Sequence, residues 1–354
     1  MTPRKGGTAP APALVIWVTV ATVVSGGLFV WPLHVVMVAG QDSDLVLIWV
    51  GLWLAAITVL SPSAASLAGR WATINRILGI GASVGLIGMD VIILDELAGM
   101  LQTFYYFETP RWALILPIVC LIVWGARGVG ATLWSAVFLV IPVLLGVTGL
   151  TLAIALTNFH FGRVLLPNQV MVLPAQLDGL LVVAYLGLPL GVTLRSVIPL
   201  LATPPSLGDR VWAAVVPWTL LGALYSVTMG SIGNQALVHL RWPVVFTLDH
   251  VTLDSTFFLS RIGLVVVFGW TVGVALGLMV HLRVFLMTTH QTLGMRTRYG
   301  PLAVGIFWTM GTFALPSPDT ATTLLLQVFD PLCAIYLFME MSFLCAWRST
   351  HRHG

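Results

Sequence analysis

Charged residues are scarce in this chain. Of its 354 residues, 16 are lysine or arginine and 13 are aspartate or glutamate, which together make up 8%. About a quarter of the residues in an average soluble domain are charged. This composition excludes a soluble enzyme. The basic residues are also spread along the chain and do not cluster, which excludes a nucleic-acid-binding surface.

Lysine and cysteine are the rarest of the reactive residues. The one lysine, Lys5, precedes the first apolar run, so no lysine-containing phosphate-binding loop can lie in the apolar segments. The three cysteines, Cys120, Cys333 and Cys345, lack the short paired spacings of zinc and redox sites. A nucleophile elbow and a carboxylate pair at hydrolase spacing are missing as well. We therefore expect neither catalysis nor a cofactor or resident metal.

Apolar residues dominate what is present. They make up 58% of the chain, and the mean hydropathy is +0.99, so lipid must solvate most of the surface. We predict an all-α polytopic membrane protein with a polar arm at 1–12, a single ten-helix domain at 13–346 and a tail at 347–354. The predicted transmembrane helices are 13–38, 45–60, 77–100, 112–126, 132–157, 176–202, 212–233, 262–285, 302–316 and 321–346.

The basic residues predict the orientation of these helices. With ten helices both termini lie on one side. If that side is the cytoplasm, twelve of the 16 lysines and arginines are cytoplasmic and four are external, which is a clear positive-inside bias. The external four are Arg111, Arg163, Arg241 and Arg261. We expect both termini to be cytoplasmic.

The ten helices fall into two similar halves. The predicted lengths are 26, 16, 24, 15 and 26 residues in 13–157, and 27, 22, 24, 15 and 26 residues in 176–346. Because five is odd, the second half enters the membrane from the opposite side. This is the pattern of a 5+5 inverted repeat, as in LeuT-type transporters.

In such repeats the first helix of each half is broken near the midplane, where freed backbone groups bind a polar solute. Ser25-Gly26-Gly27-Leu28 lies mid-span in helix 1, and Tyr185-Leu186-Gly187-Leu188-Pro189 lies mid-span in helix 6. The alternative is that these residues only permit close packing or a kink. The predicted ligand-binding residues are Ser25, Gly26, Gly27, Leu28, Gly88, Asp90, Tyr185, Leu186, Gly187, Leu188, Trp270 and Thr271.

Ionisable residues inside the spans are functional candidates because their burial in lipid is costly. Asp90 could bind a proton or a substrate ammonium, or only bond to a neighbouring helix. Thr271 could complete a cation site or bond to its own backbone. We expect Asp330, before Pro331, to be structural. Five residues nearer the helix ends are expected to be interfacial or solvated: Asp95, Glu96, Glu340, His34 and His281.

Several short stretches resemble one known family. The sequence is similar to the B subunit of endospore germinant receptors, a family within the amino acid–polyamine–organocation superfamily. The matching stretches run from about residue 13 to residue 346. They are Gly-Gly-Leu-Phe-Val-Trp-Pro at 26–32, Thr109-Pro110-Arg111-Trp112, Arg127-Gly128, Asn158-Phe159 and Leu240-Arg241-Trp242-Pro243.

The resemblance implies a protein of the spore inner membrane that binds a small germinant, typically an amino acid, and works beside an A subunit and a lipoprotein C subunit. The sequence departs from the family at Pro189 and at Thr203-Pro204-Pro205-Ser206-Leu207. The alternative functions are a proton- or cation-coupled amino acid transporter and a scaffold that only anchors partner subunits.

Overall fold

The computed structural model of the chain describes residues 10–26, 31–39, 43–61, 70–128, 130–160, 163, 172–249, 262–293, 299–315 and 317–351. Within these residues all regular structure is helical. The helices are α1 (Leu14–Ser25), α2 (Trp31–Ala39), α3 (Ser43–Leu60), α4 (Arg70–Phe104), α5 (Arg111–Arg127), α6 (Gly130–Ala155), α7 (Val172–Val197), α8 (Leu207–Ile232), α9 (Asn234–Leu237), α10 (Pro243–Asp249), α11 (Ile262–Leu293), α12 (Gly300–Ala314), α13 (Pro318–Leu324) and α14 (Asp330–His351).

Six helical segments are long and apolar enough to cross a membrane. Each has 24 to 28 residues, against about 20 needed to span the hydrocarbon core. They are Ile77–Phe104, Gly130–Ala155, Leu177–Leu200, Leu207–Ile232, Val265–His290 and Thr320–Phe343. Shorter apolar helices accompany them at Leu14–Ser25, Leu45–Leu60 and Gly300–Ala314.

The helices lie where the apolar runs of the sequence predict them. The largest differences are in length. Helix α11 ends eight residues after the predicted end at 285, α4 begins seven residues before the predicted start at 77, and α14 continues to His351, into the segment predicted as a tail. Helix 1 is represented by two helices, α1 and α2. Gly27 and Leu28 lie between them, outside the described residues.

The predicted break in helix 6 is wrong. Helix α7 runs without interruption from Val172 to Val197, with Pro189 inside it. Proline removes one N–H and crowds the carbonyl four residues earlier, but membrane helices tolerate this when neighbouring helices hold them in place. Here α7 packs against α1, α3 and α14, and residues 182–198 are buried almost without exception.

The irregular helix of the second half is the last one. A π-helical turn, Leu325–Phe329, separates α13 from α14. It directly precedes Asp330-Pro331, and the missing N–H and bulky ring of Pro331 account for the altered hydrogen bonding.

Helix α1 lies at the centre of the bundle. It packs against α6, α7, α8 and α11, and all its residues except Ile16 and Trp17 are buried. We call the end where α1 begins the N-terminal face. Arg210, at the start of α8, lies there and donates to the Ser61 carbonyl at 2.7 Å. The distal face is the opposite end, where α4 ends and α5 begins.

Candidate functional site

Three polar side chains form a hydrogen-bonded row beside the end of α1. Ser25, the last residue of α1, places its Oγ 3.4 Å from Nε2 of His281 on α11. The other ring nitrogen of His281, Nδ1, lies 2.8 Å from Oδ1 of Asp90 on α4. All three residues are fully buried. We call Ser25, His281 and Asp90 the central triad.

Glycine brings these helices together. A Cβ on Gly277 of α11 would overlap the Ser25 side chain and the Ala21 carbonyl oxygen, so only glycine lets α11 approach α1 this closely. His281 follows Gly277 by four residues and therefore lies on the same face of α11. The close crossing thus places the imidazole beside Ser25.

The central triad can exist in two protonation states. If the Ser25 hydroxyl donates to Nε2 of His281, a neutral His281 donates its Nδ1–H to an ionised Asp90. If the hydroxyl instead donates to the Thr22 carbonyl, at 2.8 Å, its oxygen can accept from Nε2 of His281. Nδ1 then either accepts from a protonated Asp90 or carries a second N–H that donates to an ionised Asp90. Both forms contain one proton more than a neutral histidine beside an aspartate anion. The triad can therefore store one exchangeable proton.

Asp90 has unused bonding capacity. Its Oδ2 is buried and has no hydrogen-bond partner among the described residues. An unpaired carboxylate oxygen away from water is costly. A bound solute or a proton on Asp90 would remove that cost.

A second buried histidine–aspartate pair lies beyond the interruption of helix 1. Nε2 of His34 on α2 is 3.2 Å from Oδ2 of Asp330, and the Tyr185 ring packs edge-on against His34 at 4.7 Å between centroids. His34 and Asp330 are 3% and 2% exposed. The prediction that His34 is interfacial is therefore wrong, because Tyr185 of α7 and Asp330 of α14 cover it.

Glu96 is the hub of a polar network near the distal face. It accepts hydrogen bonds from Arg241 at 2.7 and 3.1 Å, from Trp242 Nε1 at 3.2 Å and from Thr322 at 2.9 Å. The adjacent Asp95 pairs with Arg111 at 3.2 Å. The prediction that Asp95 and Glu96 are solvated is wrong, since both are at most 4% exposed.

A further ion pair lies toward the N-terminal face. Arg195 of α7 donates to Glu340 of α14, and both are buried. A Cβ on Gly191 would lie 3.3 Å from the Glu340 carboxylate, so the absence of a side chain there makes room for it. The prediction that Glu340 is interfacial is therefore wrong, because it has a buried partner on another helix. The same prediction is wrong for His281, whose buried partner is Asp90.

Some of the predicted ligand-binding residues lie beside the interruption of helix 1, and the others lie elsewhere. Leu186 packs against Gly26 so closely that a Cβ on Gly26 would overlap it, and Tyr185 contacts His34. Helix α7 thus touches both sides of the helix 1 interruption, although it is not itself broken.

The remaining predicted residues lie elsewhere. Gly187 faces Ile57 and Leu337, whereas Gly88 and Leu188 line a separate cavity. Trp270 donates to Thr148 at 2.8 Å, and Thr271 donates to the Val267 carbonyl of its own helix. The self-bonded alternative for Thr271 is therefore the one observed.

Metal ligands do not converge in the part of the chain that the structure describes. No group of three histidine, cysteine, aspartate or glutamate side chains there could hold a metal ion. The central triad offers one imidazole, one carboxylate and one hydroxyl.

Comparison with known proteins assigns the fold. No protein family and no curated protein matches the sequence. Among solved structures, the chain is similar to two variants of a manganese transporter from Eremococcus coleocola, one with a histidine and one with a glutamate replaced by alanine. The TM-score is 0.58 for both, with 13% and 12% identity over 92% of this chain and 79% of the transporter chain.

The chain is therefore an integral membrane protein with a transporter fold. At this identity the likeness concerns the fold alone, and it does not extend to the germinant receptor family, which stays a prediction.

Proposed function

We propose that the chain is a transporter that binds a small polar solute at the interruption of helix 1 and carries it across the membrane together with a proton. The central triad is the observation that supports this most strongly. It combines a buried carboxylate with a free oxygen, an imidazole that can relay a proton, and the end of a helix whose last residue is in direct contact with that imidazole.

The proposal includes the arrangement predicted from the sequence. Ten spans form two inverted sets of five, and both termini are cytoplasmic, so the N-terminal face is the cytoplasmic one. The similarity to a transporter fold supports this arrangement, and the π turn before Asp330 is an irregular point in the last helix of the second half.

The buried ion pairs suggest how access to the site alternates. The Glu96 network closes the distal side of the bundle, and the pair of Arg195 and Glu340 closes the side nearer the N-terminal face. Opening toward one face requires one of these sets to separate while the other stays intact. A transporter with two such closures exposes its centre to one face at a time.

We propose an amino acid as the solute, as the sequence predicts. An ammonium group would complement the free oxygen of Asp90 and the carbonyl groups at the C-terminal end of α1, and N–H groups at the start of α2 would hold the carboxylate. The similar structure belongs to a manganese transporter, so Mn²⁺ is a second probe in the experiment.

Uptake into liposomes tests the proposal. Purified protein is first heated with each of the twenty common L-amino acids and with MnCl₂, and compounds that raise the unfolding temperature are used in labelled form. We expect saturable uptake of at least one amino acid, driven by an inward proton gradient and lost in Asp90→Asn. Glu108→Gln, which removes an exposed carboxylate, is the control and should keep full uptake.

Other outcomes would overturn the proposal. If no amino acid stabilises the protein and none is taken up, the solute class is wrong. If Asp90→Asn concentrates the solute as well as the unaltered chain does, the central triad is not the proton-coupling site.

A germinant receptor subunit is the second candidate function. Specific support comes from the motifs that carry the resemblance. Arg111, Arg241 and Trp242 belong to two separate matching stretches, and they meet the buried carboxylates of Asp95 and Glu96 in one network. As a proposal, this network would transmit ligand binding to A and C subunits in the spore inner membrane.

The same experiment separates the two candidates. A receptor predicts that an amino acid raises the unfolding temperature but is not taken up. In that case Arg241→Gln should leave the stabilisation by the amino acid intact and abolish germination by spores that carry the variant.

A further inference from the structure

A large cavity lies between helices α4, α5, α11, α12 and α14, and no residue of the central triad lines it. Its volume is about 1080 Å³. It extends from the N-terminal face, at Arg127 and Gly300, to the middle of the bundle at Gly88 and Phe329. The five residues of α4 that border it lie between Gly81 and Gly88, a stretch of about 10 Å along the helix.

The walls of the cavity are apolar and partly open to the surroundings of the bundle. Val84 on α4 is 66% exposed, Leu332 on α14 is 58% exposed and Phe307 on α12 is 54% exposed. In a membrane protein such exposed apolar side chains face acyl chains, not water. The opening of the cavity therefore lies toward lipid.

The end of the cavity near the N-terminal face is basic. Arg127 and Arg283 line it there, together with His290, and none of the described residues that line it is acidic. The Nε atom of Arg283 and the Nδ1 atom of His290 are buried without a hydrogen-bond partner among the described residues. These groups are available to an anionic group that enters from the membrane surface.

We propose that this cavity binds one anionic phospholipid. The phosphate of the lipid pairs with Arg127 and Arg283, and one acyl chain extends along α4 toward Phe329. Basic pockets between membrane helices recognise lipid headgroups through this combination of charge and apolar surface. The site is separate from the proposed solute site, and it does not depend on what the protein transports.

Native mass spectrometry of the full-length protein tests the proposal. The protein in detergent is titrated with phosphatidylglycerol and, separately, with phosphatidylcholine of the same acyl chains. We expect one phosphatidylglycerol to be retained at least about tenfold more tightly than phosphatidylcholine, a factor equal to about 1.4 kcal/mol. The Arg127→Gln/Arg283→Gln variant should lose this preference.

Two glycine variants provide a matched test of the acyl-chain site. A Cβ at Gly81, on the cavity wall, or at Gly149, on α6, would meet nothing within 4 Å, so both positions accept a large side chain. Gly81→Trp should fill the cavity and remove the retained lipid. Gly149→Trp should leave lipid retention unchanged.

Three results would overturn the proposal. The first is equal retention of the two lipids. The second is an unchanged preference for phosphatidylglycerol in the arginine double variant. The third is that the protein binds inorganic phosphate tightly while Gly81→Trp retains as much lipid as the unaltered chain. The last result would identify a site for a free anion.

Discussion

Nδ1 of His281 lies 2.8 Å from Oδ1 of Asp90, although the two residues are 191 positions apart in the sequence. Both are completely buried, and they join α11 to α4 across the middle of the bundle. With one proton more than a neutral imidazole and a carboxylate, the pair has no net charge, whether it is an imidazolium–carboxylate or an imidazole–carboxylic acid pair. Without that proton the pair has a net negative charge, which is costly to bury unless a ligand compensates it.

The first prediction concerns the stability of this pair. His281→Leu leaves Asp90 buried beside an apolar side chain, and removing one partner of a buried pair costs about 3–5 kcal/mol. We expect a large decrease in the free energy of unfolding, measured by titration with a denaturing detergent. The double variant Asp90→Leu/His281→Leu should regain most of that stability. A double variant as unstable as the single one would show that the pair is not coupled.

The second prediction concerns the crossing of α1 and α11. Gly277→Ala forces a methyl group into Ser25 and the Ala21 carbonyl, so α11 must move away from α1. Overpacking of this kind costs about 1–3 kcal/mol, and we expect a lower unfolding temperature together with weaker solute binding.

Gly222→Ala is the matched control for the crossing. A Cβ at Gly222 on α8 would meet nothing within 4 Å, so this variant should be at least as stable as the unaltered chain. Equal stability of the two alanine variants would contradict the proposed role of Gly277.

The third prediction concerns closure toward the N-terminal face. Ser196, next to Arg195 on α7, is 4% exposed and lies 3.2 Å from the Thr288 hydroxyl. In a chain with Cys120 and Cys345 changed to serine, Ser196→Cys should react slowly with a membrane-impermeant thiol reagent.

Removal of the ion pair between Arg195 and Glu340 should speed the reaction of Ser196→Cys with the thiol reagent. With Glu340→Gln added, we expect the rate to rise about tenfold, the effect of an opening equilibrium shifted by about 1.4 kcal/mol. Glu108→Gln, on the distal side, is the control and should not change the rate. An unchanged rate in Glu340→Gln would show that the pair does not close this side.

Much of the fold could be predicted from the sequence, because the membrane imposes a length on each apolar run. The predicted runs at 132–157 and 302–316 differ from α6 and α12 by only two residues at each end. The end of α1 at Ser25 also agrees with the break predicted at Ser25-Gly26-Gly27-Leu28. Helix 6 could not be predicted in the same way, since Pro189 breaks or only kinks a helix according to the packing around it.

The partners of the buried polar residues could not be predicted. Asp90 was a candidate on its own, but single-sequence patterns do not show that His281 on a distant helix faces it. The same is true of Glu340 with Arg195. A useful signal was present nevertheless: six acidic residues within the predicted runs need compensation, and the runs also contain two histidines, Arg195 and Arg283. These residues indicate that buried partners exist but not which ones, since Arg111 and Arg241, the partners of Asp95 and Glu96, lie outside the predicted runs.

The measurement that most directly tests the central claim is proton movement coupled to solute entry. Liposomes that contain the protein and a pH-sensitive dye are given an external amino acid that stabilises the protein. We predict that the lumen becomes acidic with the unaltered chain and with Glu108→Gln, but not with Asp90→Asn. Solute entry without acidification, or equal acidification with Asp90→Asn, would contradict the assignment of the proton to the Asp90–His281 pair.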